Sequence, residues 1–176
     1  MKKDFWALLS IFILPIAIGT LFFYLNPTYF SKNTVNYGDL IRPVITTEKT
    51  DIQIQGDESF EGFWTLAYVT SNCDNVCEQA IADIKTIRTL INMDMRRIQR
   101  MLITPDGSVP NNKDENLLMA KITSDKFADK LSKLPENSIF LIDPIGNFML
   151  YYNPIDINIK LVLKDLKRLL KYSRIG

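Results

Sequence analysis

Histidine is absent from this chain, and cysteine occurs only twice in its 176 residues. Without an imidazole, the chain cannot form a Ser-His-Asp or Cys-His catalytic group, or a zinc site that uses histidine ligands. Two cysteines are also too few for an all-cysteine zinc or iron-sulfur site, which needs about four. The chemistry open to the sulfur atoms is therefore that of one pair.

An excess of charge is missing as well, because 21 Lys+Arg nearly balance 20 Asp+Glu. This balance does not indicate a nucleic-acid-binding protein. The seven glycines are scattered along the chain and form no glycine-rich phosphate loop. What the chain does have is 47% hydrophobic residues, enough for one domain with a sizeable core.

Residues 5–25 form a long stretch without any charged side chain. As a helix with a rise of about 1.5 Å per residue, this stretch reaches across a bilayer core of about 30 Å. A signal peptide is the alternative, but its apolar region covers only about 7 to 15 residues and ends at small residues. Here the stretch ends in the bulky Phe22, Phe23 and Tyr24, which favours a retained transmembrane anchor.

The basic residues around this stretch predict its orientation. Lys2 and Lys3 precede it, and the next basic residue is Lys32. The positive-inside rule therefore places residues 1–4 in the cytoplasm and the chain from residue 26 onward outside. In a bacterium this is a single-pass protein of the inner membrane whose C-terminal domain lies in the periplasm, where disulfides form and persist.

The exported part has the size of one domain. Residues 26–45, with proline and glycine among polar residues, are predicted to be a linker, and residues 46–176 to be the domain. Residues 51–55 alternate strictly and predict a short edge strand. Residues 63–70 are a nearly continuous apolar and aromatic run, which is typical of a central strand buried on both faces.

An amphipathic helix is predicted after this central strand, and further elements follow. They are a strand at 98–104, a surface loop at 105–116, a short helix capped by Ser124 or Asp125, a hairpin of 139–142 and 148–152, and a helix from 159 to 170. Strand-helix-strand units form parallel crossovers, and a hairpin adds antiparallel strands. The predicted fold class is therefore α/β: a mixed sheet flanked by helices in the thioredoxin-like arrangement.

Cys73 and Cys77 lie at the junction between the central strand and the helix that follows. On a regular helix, Cβ atoms of residues i and i+4 are about 5 to 6 Å apart, whereas a disulfide needs about 3.5 to 4.5 Å. The pair can close only if Cys73 lies in the loop or the first turn distorts. A helix N-terminus favours thiolate and metal ligation, and the charges of Asp74 and Glu78 oppose this effect.

A structural disulfide is the alternative to thiol chemistry at this pair. The closed loop is very short, so its closure entropy is small and the bond contributes little to a domain that has a core. Thiol chemistry, either redox or metal binding, is the interpretation that the junction favours. Two buried reduced cysteines without a role are the third possibility.

The residues around the pair resemble a known family. The run at 62–69 that leads into Cys73-x-x-x-Cys77, together with the later hairpin Asp143-Pro144-Ile145-Gly146, is similar to the Sco/SenC proteins. These are membrane-anchored thioredoxin-fold factors of cytochrome c oxidase assembly, and the resemblance covers about residues 37–172. It implies a domain that handles copper or reduces thiols during maturation of the oxidase's binuclear copper site.

The sequence departs from that family at one copper ligand. Copper-binding members hold the metal with both cysteines and a histidine about eleven residues before the hairpin glycine, where this chain has Pro135. Two thiolates can hold Cu(I), but without a third ligand the site is weaker and more exposed. Met101 and Met149 are the soft residues nearby, and methionines in strands are typical of core packing.

The missing histidine favours dithiol exchange, in which Cys73 attacks a partner disulfide and Cys77 resolves the mixed species. The expected function is that of a thiol-disulfide factor that serves a respiratory oxidase subunit or another assembly factor. As an enzyme, it would be a thiol-disulfide oxidoreductase. A Cu(I) metallochaperone that uses Cys73, Cys77 and an unidentified ligand is the first alternative. A redox-silent scaffold for oxidase assembly is the second.

The surface of the C-terminal helix carries many basic residues. They are Lys160, Lys164, Lys167, Arg168 and Lys171. A solvated helix face is the interpretation that such a pattern favours, and contact with acidic lipid or with a partner is the alternative.

Overall fold

The computed structural model describes residues 2–26, 35–56, 59–107, 114 and 116–173. The expectations for Met1, for residues 27–34 of the linker and for residues 108–113 and 115 of the surface loop lie outside the described residues. The chain divides into two compact units, Met1–Val35 and Asn36–Gly176, which are described separately.

The first unit contains the helix α1, Lys2–Leu25. Its stretch Leu8–Leu25 is long and apolar enough to cross a membrane, and none of it is buried. The serine and threonine of this stretch are satisfied locally, since the hydroxyls of Ser10 and Thr20 donate to carbonyl oxygens one turn earlier. Such internal pairing suits a helix surrounded by lipid, where water is absent.

The second unit is built on one mixed sheet flanked by helices. Its strands are β1 Asp39–Thr46, β2 Ile52–Ile54, β3 Trp64–Val69, β4 Ile98–Thr104, β5 Leu118–Ile122, β6 Ser138–Ile142 and β7 Asn147–Tyr152. Its helices are α2 Asn75–Leu90, α3 Asp125–Leu131 and α4 Ile159–Tyr172, with a 3-10 helix at Asn92–Arg97. Among the described residues, the seven strands follow the order β1-β7-β6-β3-β4-β5-β2.

Strand β3 lies at the centre of this sheet, as its apolar run predicted. It pairs in parallel with β4 and antiparallel with β6. Leu66 and Ala67 are adjacent in sequence, so they point to opposite faces, and both are completely buried. Helices α2 and α4 cover the Leu66 face, and α3 covers the Ala67 face.

The predicted linker at 26–45 contains the strand β1, which corrects that expectation for residues 39–45. β1 is an edge strand paired only with β7, and its register shifts between Leu40 and Ile45. Its buried residues, Ile41 and Ile45, belong to the same face, but Pro43 between them is exposed, so the alternation is interrupted. Pro43 is tolerated there because an edge strand need not use every N–H.

Strand β5 is a second element that the sequence did not predict. It has only five residues, of which Leu118 and Ala120 are buried, and it pairs in parallel with β4. On its other side β5 pairs antiparallel with β2, the second edge strand. The presence of β2 confirms the strand predicted within residues 51–55. Such a short segment next to a polar loop gives little periodic signal.

The start of the second unit is fixed to the C-terminal helix. The carboxylate of Asp165 in α4 is only 3% exposed and accepts hydrogen bonds from the Tyr37 N–H at 2.9 and 3.1 Å and the Gly38 N–H at 3.0 Å. The Tyr37 ring stacks on Tyr152. A Cβ at Gly38 would collide with the Tyr152 ring, so only glycine allows this close approach.

Candidate functional site

A disulfide joins the two cysteines at the junction between β3 and α2. Cys73 lies in the connecting loop, one residue before the helix cap Asp74, and Cys77 lies in the first turn of α2. Their Cα atoms are 5.0 Å apart. The bond can close because Cys73 lies outside the regular helix.

The two sulfur-bearing residues differ in burial. Cys77 is completely buried and packs with Ala80 and Ile84 in the core beneath α2 and α4. Cys73 is half-buried at the rim of the same core. A reagent or partner can therefore approach the disulfide only from the Cys73 side.

Asp74 caps the helix beside the disulfide. Its Oδ1 accepts hydrogen bonds from the N–H groups of Val76 at 3.0 Å and of Cys77 at 3.1 Å. The helix N–H groups that would stabilise a thiolate on Cys73 are thus already bound to a carboxylate. The negative charge also stands next to Cys73 in sequence, so the local electrostatics oppose thiolate formation.

A second loop is tied to the loop of the cysteines. Thr70 Oγ1 lies 2.7 Å from both the carbonyl oxygen of Asn72 and the side-chain oxygen of Asn137, and its single hydrogen serves one of them at a time. Asn137 has a φ of 52°, a left-handed conformation that asparagine tolerates better than most residues. These contacts hold the segment before β6 beside the residues that lead to Cys73.

A groove of about 500 Å³ opens between this segment and the start of α2. Asp74 and Val76 line one side, and Pro135, Glu136 and Asn137 line the other. Pro135, where the sequence resemblance implies a histidine ligand in copper-binding relatives, therefore lines the same groove as the helix cap Asp74. Its ring offers no metal ligand and no exchangeable proton.

Tyrosines near the site are held in their neutral form. Burial raises the pKa of Tyr68, and the charge of Asp74 adds to this effect while the hydrogen bond with Thr70 opposes it. Burial also raises the pKa of Tyr151 in the groove, with a further contribution from Asp39. Neither phenol is therefore a source of negative charge for a metal at neutral pH.

The two methionines that the sequence offered as soft ligands, Met101 and Met149, occupy core positions. Met101 is completely buried on the opposite face of the sheet from Cys77, and Met149 packs against the core on the Cys77 side. Within residues 2–26, 35–56, 59–107, 114 and 116–173, no three His, Cys, Asp or Glu side chains form a group that could hold a metal. Two thiols released by reduction are the soft donors that remain.

Two residues of the site were not singled out from the sequence. The charge of Asp74 is evident from the sequence, and an aspartate directly before an amphipathic helix is also the usual signal of an N-cap. No local pattern in the sequence indicates the contact of Asn137 with Thr70, which is 67 residues away.

Comparison with known proteins agrees with this architecture. The family described as "Transmembrane-like, thioredoxin-like, C-terminal domain" matches residues 64–173, more than half of the chain. No curated protein matches the chain.

Solved structures of Sco proteins share the fold. Yeast Sco1 with copper bound aligns with a TM-score of 0.55 and 15% identity over 80% of this chain and 96% of that one. Apo Sco1 from Thermus thermophilus aligns with a TM-score of 0.52 and 15% identity over 78% and 98%. A SCO1/SenC family lipoprotein from Bacillus anthracis aligns with a TM-score of 0.50 and 21% identity over 74% and 99%.

These likenesses confirm the predicted thioredoxin-like fold and its similarity to Sco/SenC proteins. The chain belongs to the family of transmembrane-like, thioredoxin-like C-terminal domains, with a Sco-like sheet that carries the Cys73–Cys77 disulfide.

Proposed function

We propose that this chain is a membrane-anchored thiol-disulfide exchange factor that acts in the maturation of the copper site of cytochrome c oxidase. The observation that carries the proposal is the disulfide itself, with one accessible and one buried cysteine at a helix N-terminus. Exchange needs an outer sulfur that a partner can reach and an inner sulfur that resolves the mixed species.

The exchange step starts from the reduced form. The Cys73 thiolate attacks one sulfur of a partner disulfide, which forms a mixed disulfide and releases one partner thiolate. The Cys77 thiolate then attacks the Cys73 sulfur, which forms the disulfide seen in the structure and releases the second partner thiolate. Two electrons pass to the partner, and an external dithiol reductant returns the chain to its reduced form.

The resemblance to Sco/SenC proteins supports the oxidase as the target. Reduced cysteines are needed before a thiolate copper site can be loaded, since the thiolate is the metal ligand. A dithiol that reduces the oxidase subunit or another assembly factor therefore has a place in this maturation even if the dithiol does not carry copper.

The proposed location is supported by α1. A helix of this length and apolarity can anchor the chain in the bacterial inner membrane through residues 5–25. In the proposed arrangement residues 1–4 are cytoplasmic, and the domain from about residue 46, preceded by β1, lies in the periplasm. That compartment supports disulfide exchange.

A Cu(I) metallochaperone is the second candidate, because yeast Sco1 with copper bound has the same fold. Copper would be cargo held by the reduced Cys73 and Cys77, with a third ligand supplied by the partner. The neutral Pro135 in the groove and the carboxylate of Asp74 near Cys73 do not strengthen such a site. A redox-silent scaffold is the third candidate.

A trapping experiment tests the exchange function. The full chain in detergent, reduced without oxygen, is mixed with glutathione disulfide and followed by mass spectrometry. We expect Cys77→Ser to accumulate a glutathione adduct on Cys73, whereas Cys73→Ser forms adducts at least about tenfold more slowly because Cys77 is buried. Equal adduct formation by the two variants would refute the assigned roles.

A copper titration separates the exchange factor from the metallochaperone. The reduced chain is titrated with Cu(I) in competition with a chelator of known affinity, and Cys73→Ser is the control. The exchange proposal predicts weak uptake that the chelator removes. Tight uptake of one Cu(I) per chain that disappears in Cys73→Ser would favour the metallochaperone.

A further inference from the structure

Helix α4 presents a row of lysines that the proposed exchange function does not use. Lys160, Lys164, Lys167 and Lys171 follow each other at spacings of four, three and four, so they form one stripe along the helix over about 16 Å. All four are exposed, and the stripe lies opposite the buried face of Val162, Leu166 and Leu170. This stripe is called the lysine stripe below.

The lysine stripe shares helix α4 with a single acidic residue. The acidic residue of α4 is Asp165, which is buried and bound to the backbone of Tyr37 and Gly38. In the described part of the chain, none of the four lysines forms an ion pair. Four cationic groups in one row are suited to a surface of regularly repeated anions.

The flank of the stripe is apolar. Leu161 and Tyr172 lie on the same side of the stripe and are 38% and 75% exposed. Lysines bordered by exposed aliphatic and aromatic side chains are typical of helices that lie on the headgroup region of a membrane.

The chain from the anchor enters the domain beside this stripe. Tyr37 and Gly38 are fixed on α4 through Asp165, on the flank that carries Leu161 and Tyr172. Eleven residues separate Leu25, the end of α1, from Tyr37. Since each residue spans at most about 3.6 Å, this tether is at most roughly 40 Å long when fully extended.

From these observations we propose that the lysine stripe docks the domain on the anionic lipid headgroups of the membrane that holds α1. The proposal rests on the anchor of the proposed function, and it is independent of the cysteines. The short tether gives the stripe a high effective concentration at the membrane surface, so weak attraction by each lysine is sufficient. Docking fixes the height of the disulfide above the bilayer and thereby selects partners that present their cysteines at that height.

Energy transfer from Trp64 to a dansyl-labelled lipid tests this docking. The chain has two tryptophans, so Trp6→Phe leaves the buried Trp64 as the donor. The full chain is placed in nanodiscs of phosphatidylcholine alone or with added phosphatidylglycerol. We expect the anionic discs to increase transfer at least about twofold, and we expect high salt to abolish the increase.

Two sets of substitutions with the same charge change identify the surface. Lys→Gln at the four positions of the stripe is expected to abolish the increase. The matched control is Lys→Gln at Lys121, Lys126, Lys130 and Lys133, which are exposed on β5 and around α3, and it is expected to retain the increase. Circular dichroism checks that both variants are folded.

Each contrary result has a definite meaning. Docking on lipid is overturned if energy transfer is equal in neutral and anionic discs. It is also overturned if the two sets of Lys→Gln substitutions reduce the increase in energy transfer equally. Both results leave the thiol proposal intact. A chain that does not insert into the discs overturns docking together with the proposed anchor. The glutathione-trapping experiment gives its result in either case.

Discussion

Two aspartates of this chain, Asp74 and Asp165, accept backbone N–H groups in very different surroundings. Asp74 is exposed and caps α2 next to the disulfide, whereas Asp165 is only 3% exposed and holds Tyr37 and Gly38 against α4. Hydrogen bonds to a carboxylate in water replace bonds to water, but a buried carboxylate has no such substitute. The difference indicates that Asp165 maintains the fold and that Asp74 adjusts the site.

The neighbours of Asp165 show how strongly it depends on its partners. The Tyr152 hydroxyl lies 3.4 Å from the carboxylate, and burial together with the charge of Asp165 raises the pKa of Tyr152 far above its usual range. Tyr152 therefore stays protonated and remains a donor. The buried charge is surrounded by donors from Tyr37, Gly38 and Tyr152.

Replacing Asp165 by asparagine is expected to give the largest effect. The amide oxygen can take the place of Oδ2, but the NH2 group then faces the Tyr37 N–H where Oδ1 accepted, and the negative charge is lost. The free energy of unfolding should therefore fall by about 3 kcal/mol. Urea unfolding of the full chain, followed by Trp64 fluorescence in the Trp6→Phe background, measures the loss. The exposed Asp156→Asn is the control, and an equal effect in the two variants would contradict the assigned role of Asp165.

Asp114 is intermediate between the exposed Asp74 and the buried Asp165 in its expected effect on stability. Its carboxylate forms two hydrogen bonds, of 2.8 and 3.0 Å, with the buried guanidinium of Arg100. This bond holds the pKa of Asp114 well below its usual range. We expect Asp114→Asn to lower the free energy of unfolding by about 2 kcal/mol at neutral pH, because Arg100 loses its counter-charge.

The stabilisation by Asp114 is expected to depend on pH. A depressed pKa in the folded state means that the stabilisation is complete above the unfolded value of about 4 and is lost as the pH falls toward the folded value. The difference between the parent and Asp114→Asn should therefore narrow between about pH 4 and pH 2. Lys85 is an exposed lysine whose Nζ lies 3.2 Å from Asp114 Oδ2. Lys85→Gln is the control and should change the free energy of unfolding little. If the parent and Asp114→Asn differ by the same free energy of unfolding throughout this pH range, the Asp114 carboxylate does not stabilise the fold through its charge.

Asp74 is expected to give the smallest effect on stability. Asp74→Asn retains a cap and should leave the free energy of unfolding nearly unchanged, whereas Asp74→Ala should lower it by about 1 kcal/mol. Both substitutions remove the charge next to Cys73, so in the Cys77→Ser background iodoacetamide should react with Cys73 about threefold faster at neutral pH. If neither variant reacts faster, the Asp74 charge does not act on the sulfur.

The elements with a long or continuous pattern could be predicted from the sequence. The apolar run of β3, the helical spacing in α2 and α4, and the hairpin of β6 and β7 all appear in the structure. Their signals are local, since each depends on residues within one element. β1 escaped prediction because Pro43 and a shifted register hide its alternation, and β5 escaped because it is short.

For the candidate site, the strand-helix junction that holds the cysteines could be predicted from the sequence. The contacts that distant segments make around it could not. That Cys73 lies outside the helix follows from disulfide geometry and the strand-helix boundary. The contact of Thr70 with Asn137, and that of Tyr37 with Asp165 across 128 residues, arise only when distant segments pack together. No spacing within either segment indicates such contacts.

The reduction potential of the Cys73–Cys77 pair tests the central claim most directly. The full chain is equilibrated without oxygen in dithiol buffers of known potential, and its thiols are counted after rapid alkylation. We predict a reversible two-electron transition with a midpoint between about −270 and −120 mV, the range of exchange-active pairs. A disulfide that stays oxidised in buffers below about −300 mV would contradict exchange and would identify the pair as structural.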